Sequence, residues 1–473
     1  MPTVKVFDTM SRKVTDVPRD NPVTMYTCGP TVYSEPHIGN WRAFIFYDTL
    51  VRTLQANKYA VERTMNLTDV GHLVGDGDEG EDKLQKAANK QRKTAWDVAA
   101  EYIKSFAHGM KDLNMVQPNH VVRATDMIDE QIAMVKLLET MGYAYPIDDG
   151  VYFDTSKLDN YGRLAQLKLD DQQEGARVQV NDQKRNASDF ALWKLSPKDA
   201  QRDMEWDSPW GTGFPGWHLE CSVIAEQTLG KSITIHTGGI DHVPVHHPNE
   251  IAQSEAAHGQ EFSKLWVHNE HMLIEGEKMS KSLKNDFTLQ DIKDKDYDLL
   301  DFRTLILMAK YRTQQNFTWQ SLQDARTLRL GLKALAARVH QPSSNVAQKD
   351  ETDAVQLISE AHTAMHEAFS NDLNSPEALS ALGSLKDALD TLPLSSGAIG
   401  DLSKCLSVFD QLSGLKISDI ENISPENYER IKQRDTLRTA KQFAEADRLR
   451  NELTSDGIDI NDTSFGAIWS YDS

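Results

Sequence analysis

Two stretches roughly 210 residues apart carry the same local pattern, and that recurrence limits what the chain can fold into. The first, PVTMYTCGPTVYSEPHIGN from Pro22, is a β-rich run that stops at Gly29 and Pro30. It leads into WRAFIFYDTLVRTL, where Phe44, Tyr47, Val51 and Leu54 recur at helical spacing. A second β-like run, AVERTMNLTD from Ala60, follows a short turn, so the opening predicts a βαβ unit in a parallel sheet. The strand, loop and helix order returns at KSITIHTGGIDHVPVHHPNEIAQSEAAHG, with a strand over Ile233–His236, a glycine pair and a helix. The fold class expected is therefore α/β. Ligands of such sheets bind beyond the carboxyl ends of the strands, where Cys28 and Thr68 both fall.

Between the two stretches, GDGDEGEDK (Gly75 to Lys83) reads as an acidic loop, and a long helical pattern runs from it to about Leu113. No glutamate closes a twelve-residue ligand pattern there, so calcium is not expected. Residues 120–205 alternate helix and strand signals and read as an insertion between two halves of a sheet domain. After about residue 300 the strand signals cease and long helices run to residue 412, with a small break over Ser395–Gly400. A last unit begins near Ile417, with one helix through LRTAKQFAEADRLRNELTSDG and a β-like tail, GIDINDTSFGAIW. At roughly 150 residues per domain, 473 residues call for several folding units. The expected divisions are 1–119 and 206–260 for the two sheet halves, 120–205 for the insertion, 261–323 for a junction, 324–412 for a helical bundle and 417–473 for a small terminal module.

A composition of 39% hydrophobic and 26% charged residues is that of a soluble globular protein. The net charge of −20 argues against a protein that coats nucleic acid unspecifically, because that mode needs many phosphate contacts. Local basic tracks do occur, at Lys310–Arg312, Arg326–Arg338 and Arg430–Arg450, and each reads as an RNA track or as a solvated helix face. The three cysteines, Cys28, Cys221 and Cys405, are far apart, so neither a disulfide framework nor a zinc ribbon follows from spacing, and a reducing compartment fits. No secretory apolar core opens the sequence and no run of 18 apolar residues occurs, which places the chain in the cytoplasm without a membrane partner.

Two short strings carry phosphate chemistry. In EPHIGNWRA, His37 and Asn40 sit in the loop opening the first helix, where backbone N–H groups and the helix dipole favour an anion. In EGEKMSKSLKN, Lys278, Ser280, Lys281 and Ser282 make a dense cationic and hydroxylic loop suited to a leaving pyrophosphate. A KMSKS string about 240 residues beyond HIGN, with a sheet domain between, is specific. Together they resemble the paired signatures of class I aminoacyl-tRNA synthetases.

Within that class the chain resembles the cysteinyl-tRNA synthetase family over nearly its whole length. The matching stretches are CGPTVY with Cys28, NLTD with Thr68, DFALWK, SPWGTGFPGWHLECS with Cys221, GGIDHVPVHHPNEIAQ and KMSKSLKN. The resemblance implies a Rossmann-like parallel-sheet catalytic domain split by an insertion, then a helical bundle and a small α+β C-terminal anticodon-binding module. It implies one zinc ion held by Cys28, Cys221, His246 and Glu250, with Thr68 and Trp217 beside the substrate cysteine. It also implies that Gly29, His37, Gly39, Asn40, Gly238, Gly239, Asp241, Lys278 and Lys281 meet magnesium-bound ATP. His37, Asn40, Lys278 and Lys281 then act on the phosphates, and the partners are L-cysteine, ATP and tRNA-Cys, with the enzyme acting as a monomer.

The residue types agree with that set. Two thiolates, an imidazole and a carboxylate are acceptable zinc ligands, and catalytic sites gather them from distant segments. His246 and Glu250 are four apart and can meet on one side of a helix start, with Pro248 fixing that start. His242 and His247 are rival ligands that spacing does not eliminate, and a lone cysteine is often a small buried apolar residue. Rejecting serine means telling sulfur from oxygen, which a hydrophobic pocket does only by about 10², whereas zinc favours a thiolate. Many relatives carry histidine where Asn40 stands, so an altered rate is expected. Two rivals, a ligase joining cysteinyl adenylate to an amino sugar and a non-catalytic RNA-binding relative, are opposed by the RNA-binding C-terminal third and by the intact KMSKS string respectively.

Overall fold

The computed structural model describes residues 3–71, 82–166, 182–197, 202–279, 283 and 285–471. Lys281, Ser280 and Ser282, and most of the acidic loop expected over residues 75–83, lie outside them.

The central sheet has five strands, all parallel. In chain order they are β1 (Val23–Thr27), β2 (Val61–Leu67), β3 (His120–Arg123), β4 (Ile233–Gly239) and β5 (Ser263–Asn269). Their spatial order is β5-β4-β1-β2-β3. Successive strands are added outward in opposite directions from the β1/β4 boundary, so the crevice beyond the carboxyl ends of these two parallel strands is a topological switch point. Cys28 lies just past β1, and Gly238 and Gly239 end β4.

Helix α1 (Ile38–Ala56) joins β1 to β2, as the apolar periodicity predicts, and Phe44, Tyr47, Val51 and Leu54 are all buried. Helices α2 (Trp217–Leu229) and α3 (His246–His258) flank β4 in sequence. Residues of alternate strand positions serve two cores: Met25, Met65, Ile235 and Leu265 join the cluster of α1, whereas Tyr26 and Trp266 join Cys221, Ile224 and Ile251 from α2 and α3. A parallel sheet covered on both faces needs such near-continuous apolar strands.

Several sequence expectations shift. His120–Arg123 pairs with β2 in the parallel sheet, so residue 120 belongs to the sheet and the insertion begins later. Its own antiparallel sheet takes in Ala144–Ile147, Gly150–Phe153, Phe190–Leu195 and Gly213–Pro215, which carries it past residue 206. Strands do not end at residue 300: Gln315–Phe317 pairs with Met272–Ile274, a segment too short to show periodicity. The helical pattern to Leu113 is two helices, Lys83–Gln91 and Ala95–Asp112, separated at Arg92 in a left-handed conformation. The final helix is likewise two, Pro425–Thr439 and Phe443–Ser455, ahead of an antiparallel hairpin. The break placed over 395–400 falls earlier, since Ser395 caps a helix running Ser396–Ser413.

Much of the basic character of the C-terminal third is satisfied internally. Arg329 pairs with Asp301 at 2.7 Å, Arg338 donates to the carbonyls of Leu389 and Leu392, and Arg434 pairs with Asp462 at 2.7 Å. For these three arginines neither an RNA track nor a solvated helix face holds, because each side chain is buried against its partners. No described helix is long and apolar enough to cross a membrane.

One buried network fastens the helical block to the sheet. Arg303, on the helix Leu299–Leu307, donates to the carbonyl of Ser413 at 2.6 Å, to that of Leu113 at 2.9 Å and to the carboxylate of Asp48 on α1. Arg52 and the Val116 N–H reach the same carboxylate, each at 2.7 Å. Gly414 makes room for this guanidinium: at φ +69° it sits in the left-handed region, and an added Cβ would lie 2.6 Å from Arg303. Burial pushes the Asp48 carboxyl up, but the attraction of Arg303 and Arg52 outweighs it and the pKa falls below 3.8. A depressed carboxylate contributes stability that is present above its ordinary value and lost as pH falls through the folded one. Asp48→Asn, which leaves the buried Arg303 and the half-buried Arg52 guanidinium groups without their anion, is expected to cost about 3–5 kcal/mol at neutral pH. Thermal unfolding should show the loss narrowing below pH 3.8, and an unchanged midpoint at neutral pH would contradict it.

Candidate metal and adenylate site

Four side chains from three separated segments meet above the switch point. Cys28 follows β1, Cys221 is one turn into α2, and His246 and Glu250 lie in the first turns of α3. Each is at most 5% exposed, and their ligand atoms lie within 4.8 Å of one another. Pro248 stands in the first turn of α3, where its missing N–H costs no helical hydrogen bond. The helix thereby puts His246 Nε2 3.2 Å from Glu250 Oε1.

An overlapping set, Cys28, His236, His247 and Glu250, satisfies the same distance test. His247 was a rival on sequence, and His236 was not foreseen because it lies mid-strand in an apolar run. His247, like His246, has one ring nitrogen on an outer histidine and the other near a candidate ligand, 3.5 Å from Cys28 Sγ. The contacts of His236 and Glu250 are therefore what distinguish the two sets. His236 Nε2 lies 2.7 Å from Glu250 Oε2, and His247 shares Nδ1 with His268 Nε2 at 2.8 Å. His268 in turn meets Thr9 Oγ1 at 2.7 Å. Glu250 Oε1 is fully buried and makes no hydrogen bond despite its closeness to His246, which is the disposition of two ligands of one cation. His246 uses its other nitrogen, Nδ1, on His218 at 2.8 Å, the outer contact that a metal-ligating imidazole characteristically makes. Two sulfurs, one imidazole and one carboxylate also suit zinc. The residues present therefore fit a zinc ion at Cys28, Cys221, His246 and Glu250, with His236, His218, His247 and His268 orienting them.

The electrostatics lead the same way. Burial pushes the Cys28 thiol up, but hydrogen bonds from Cys221, His242, His246 and His247 prevail and leave it well below its usual range. Burial and the neighbouring Cys28 push Cys221 up. Burial opposes ionisation of both His246 and Glu250, yet Cys28 and Glu250 raise the imidazole to about 10, and His236 and His246 lower the carboxyl to about 2. Buried and with ligand atoms within 4.8 Å of one another, these groups make a candidate cation site.

The two signature strings are neighbours. Ile38 N–H donates to the Phe287 carbonyl at 2.8 Å, and His37 bridges Thr288. A Cβ on Gly39 would lie 3.1 Å from the Met279 methyl of KMSKS. Arg42, unremarked in the sequence, holds this arrangement from below. Its guanidinium is buried and donates to the carbonyls of Glu270, His271, Tyr311 and Thr313, tying α1 to the hairpin that carries Lys278. Lys278 itself is exposed.

His37 caps α1 reciprocally with Asn40. The Asn40 N–H donates to His37 Nδ1 at 3.2 Å, and the His37 N–H donates to Asn40 Oδ1 at 3.1 Å. Both side chains thus have their acceptor atoms engaged by backbone, which fixes the orientation of their donor ends.

Around the cluster, Thr68 is buried beside Glu220, and Trp217 opens α2 with its ring 5.0 Å from that of His246. Gly29 approaches the backbone of β2 so closely that a Cβ would meet the Asn66 carbonyl oxygen at 1.7 Å. A Cβ on Gly238 would strike the rings of His247 and His242, at 2.5 and 2.7 Å. Gly239 lies beside Asp241, which is exposed in the short helical turn that follows β4.

Comparison with known proteins agrees with this geometry. Residues 14–327 match the family of tRNA synthetases class I (C) catalytic domain. The cysteine–tRNA ligase 1 of Burkholderia lata is 41% identical over 98% of this chain and 95% of its own. The cysteine–tRNA ligase of Treponema denticola is 35% identical over 99% of each, and that of Deinococcus radiodurans is 38% identical over 99% of this chain and 97% of its own. Among solved structures, the methionyl-tRNA synthetase of Mycobacterium tuberculosis in complex with methionyl-adenylate superposes with a TM-score of 0.60. It covers 86% of this chain and 95% of that one at 13% identity, a likeness of fold. With a class I catalytic domain and near-full-length relatives of one kind, the chain belongs to the cysteine–tRNA ligase family of class I tRNA synthetases.

Proposed function

We propose that this chain activates L-cysteine with ATP to cysteinyl-adenylate and then transfers the cysteinyl group to the 3′ end of tRNA-Cys. The observation that carries the reading is the buried Cys28, Cys221, His246 and Glu250 cluster at the switch point, in a chain that also brings the HIGN string against Met279 of KMSKS. A zinc ion held by those four side chains, when bound, supplies a soft Lewis acid for the substrate thiol that serine lacks. Trp217 and Thr68 close the substrate pocket around the amino acid.

The cysteine carboxylate attacks the α-phosphorus of magnesium-bound ATP in line, the bond to the bridging oxygen breaks, and pyrophosphate departs with the electron pair. No protein nucleophile takes part, so the residues position and neutralise charge. His37 and Asn40 do this on the triphosphate. Since Nδ1 of His37 accepts the Asn40 N–H, its ring proton belongs on Nε2, the nitrogen that donates to a phosphate oxygen. Asn40 presents Oδ1 to the backbone and keeps its Nδ2 donors for the same task. Asparagine therefore preserves both the cap and the donor that the HIGN string requires. Lys278 and Lys281 neutralise the leaving pyrophosphate, while Gly29, Gly39, Gly238, Gly239 and Asp241 accommodate the nucleotide. A terminal adenosine hydroxyl of tRNA-Cys then attacks the acyl carbon and releases AMP. The helical bundle and the C-terminal module hold the RNA, and the enzyme works as a cytoplasmic monomer.

Two measurements test this reading. Asn40→Asp keeps the oxygen that caps α1 but removes the donor, so cysteine-dependent pyrophosphate exchange should fall about 10²-fold with an unchanged thermal midpoint; an exchange rate equal to wild type would refute the role of Asn40. Metal analysis of wild type beside Cys221→Ser should show one zinc per chain reduced in the variant, with the KM for cysteine rising in step. Full zinc retention with an unaltered KM would remove Cys221 from the site.

A further inference from the structure

A chain of three hydrogen bonds runs from the residue after Cys28 to the residue before Cys221. The Gly29 N–H donates to Asn66 Oδ1 at 2.7 Å. Asn66 Nδ2 donates to Thr68 Oγ1 at 3.0 Å. Thr68 Oγ1 donates to the Glu220 carboxylate, and Asn66 Nδ2 reaches that same oxygen at 3.5 Å. Asn66, Thr68 and Glu220 are all at most 3% exposed.

The direction of each bond is dictated by its first member. A backbone N–H can only donate, so the side-chain atom of Asn66 facing Gly29 is its oxygen and the atom facing Thr68 is its NH₂. Thr68 must therefore accept from Asn66. A carboxylate is an acceptor, so the single hydroxyl proton of Thr68 goes to Glu220. A hydroxyl has one proton and two lone pairs. With the proton and one lone pair committed, Thr68 has one lone pair left for a further partner.

We infer that Asn66 and Glu220 are positioning residues that make Thr68 an acceptor only, so that the pocket selects the α-ammonium of its amino-acid substrate at this hydroxyl. This rests on the proposed role of Thr68 beside the substrate. A thiolate or carboxylate oxygen offers Thr68 no proton, whereas an ammonium offers three. Glu220 adds a negative charge one bond behind the contact, strengthening the acceptor as charge-assisted hydrogen bonds do. Glu220→Gln places an amide in the position of the carboxylate. Its NH₂ can donate to Thr68, releasing the hydroxyl proton toward the pocket and against the ammonium.

The test compares L-cysteine with 3-mercaptopropionate, which keeps the thiol and carboxylate but lacks the amino group, as ligands in cysteine-dependent pyrophosphate exchange by the full-length zinc-loaded chain. In Glu220→Gln the preference for L-cysteine is expected to fall roughly 10-fold or more, with the inhibition constant of 3-mercaptopropionate and the zinc content at wild-type values. An unchanged preference, or equal weakening of both ligands, would overturn the inference. In Thr68→Val the preference should fall as well. If Thr68→Val lowers it and Glu220→Gln does not, only the orienting role fails. If Thr68→Val leaves it intact, Thr68 is not a substrate contact and the earlier reading of this residue fails first. The wild type alone provides a further check: 3-mercaptopyruvate, whose carbonyl can only accept, should inhibit more weakly than 3-mercaptopropionate, and tighter inhibition would contradict an acceptor-only Thr68.

Discussion

Parallel pairing of β1 with β4 is the constraint on which the site depends. Met25, Tyr26 and Thr27 align with Ile235, His236 and Thr237 across more than 200 residues of chain. That register sets Cys28 against the end of β4, and the loop and helix beyond β4 then deliver His246 and Glu250 to the same point. A one-residue slip would turn His236 from the ligand cluster to the opposite face of the sheet. The apolar faces of both strands fix the register, so the hydrophobic pattern that makes the fold also assembles the chemistry.

The cluster is costly to bury. A carboxylate, two thiols and several imidazoles buried together weaken the fold unless each atom has a partner. The structure supplies these in relays that end on neutral groups, such as His247 to His268 to Thr9. Around the ligand atoms themselves, Glu250 Oε1 and Cys28 Sγ concentrate negative potential at one point. A divalent cation at that point offsets the desolvation, which makes metal affinity and local stability two aspects of one energy. The same logic runs through Asp48 and Arg303, where a buried ion pair joins parts of the chain that apolar contact alone would leave free to shift.

The sequence showed the long-period elements well. Helix α1, the strands around Cys28 and Ile233 and the helical block were legible because their apolar residues recur over many turns or fill whole strands. Short elements were not: His120–Arg123 and Gln315–Phe317 hold too few residues to show a period, and only pairing with a neighbour makes them strands. In the site, HIGN, KMSKS and the two active-region cysteines stood out as strings. His236, Glu220, Asn66 and Arg42 did not, since each looks like a stray polar residue in an apolar element until its partner arrives from elsewhere in the chain. Pair relations between distant residues are what a single sequence withholds, and they decide which of two overlapping ligand sets is the better zinc site.

X-ray absorption at the zinc edge of the purified protein addresses that choice directly. The account predicts a zinc shell of two sulfurs with two lighter ligands, from Cys28, Cys221, His246 and Glu250, gaining a third sulfur when L-cysteine is added. A shell of one sulfur with three lighter ligands, unaltered by L-cysteine, would assign the metal to Cys28, His236, His247 and Glu250 and contradict it.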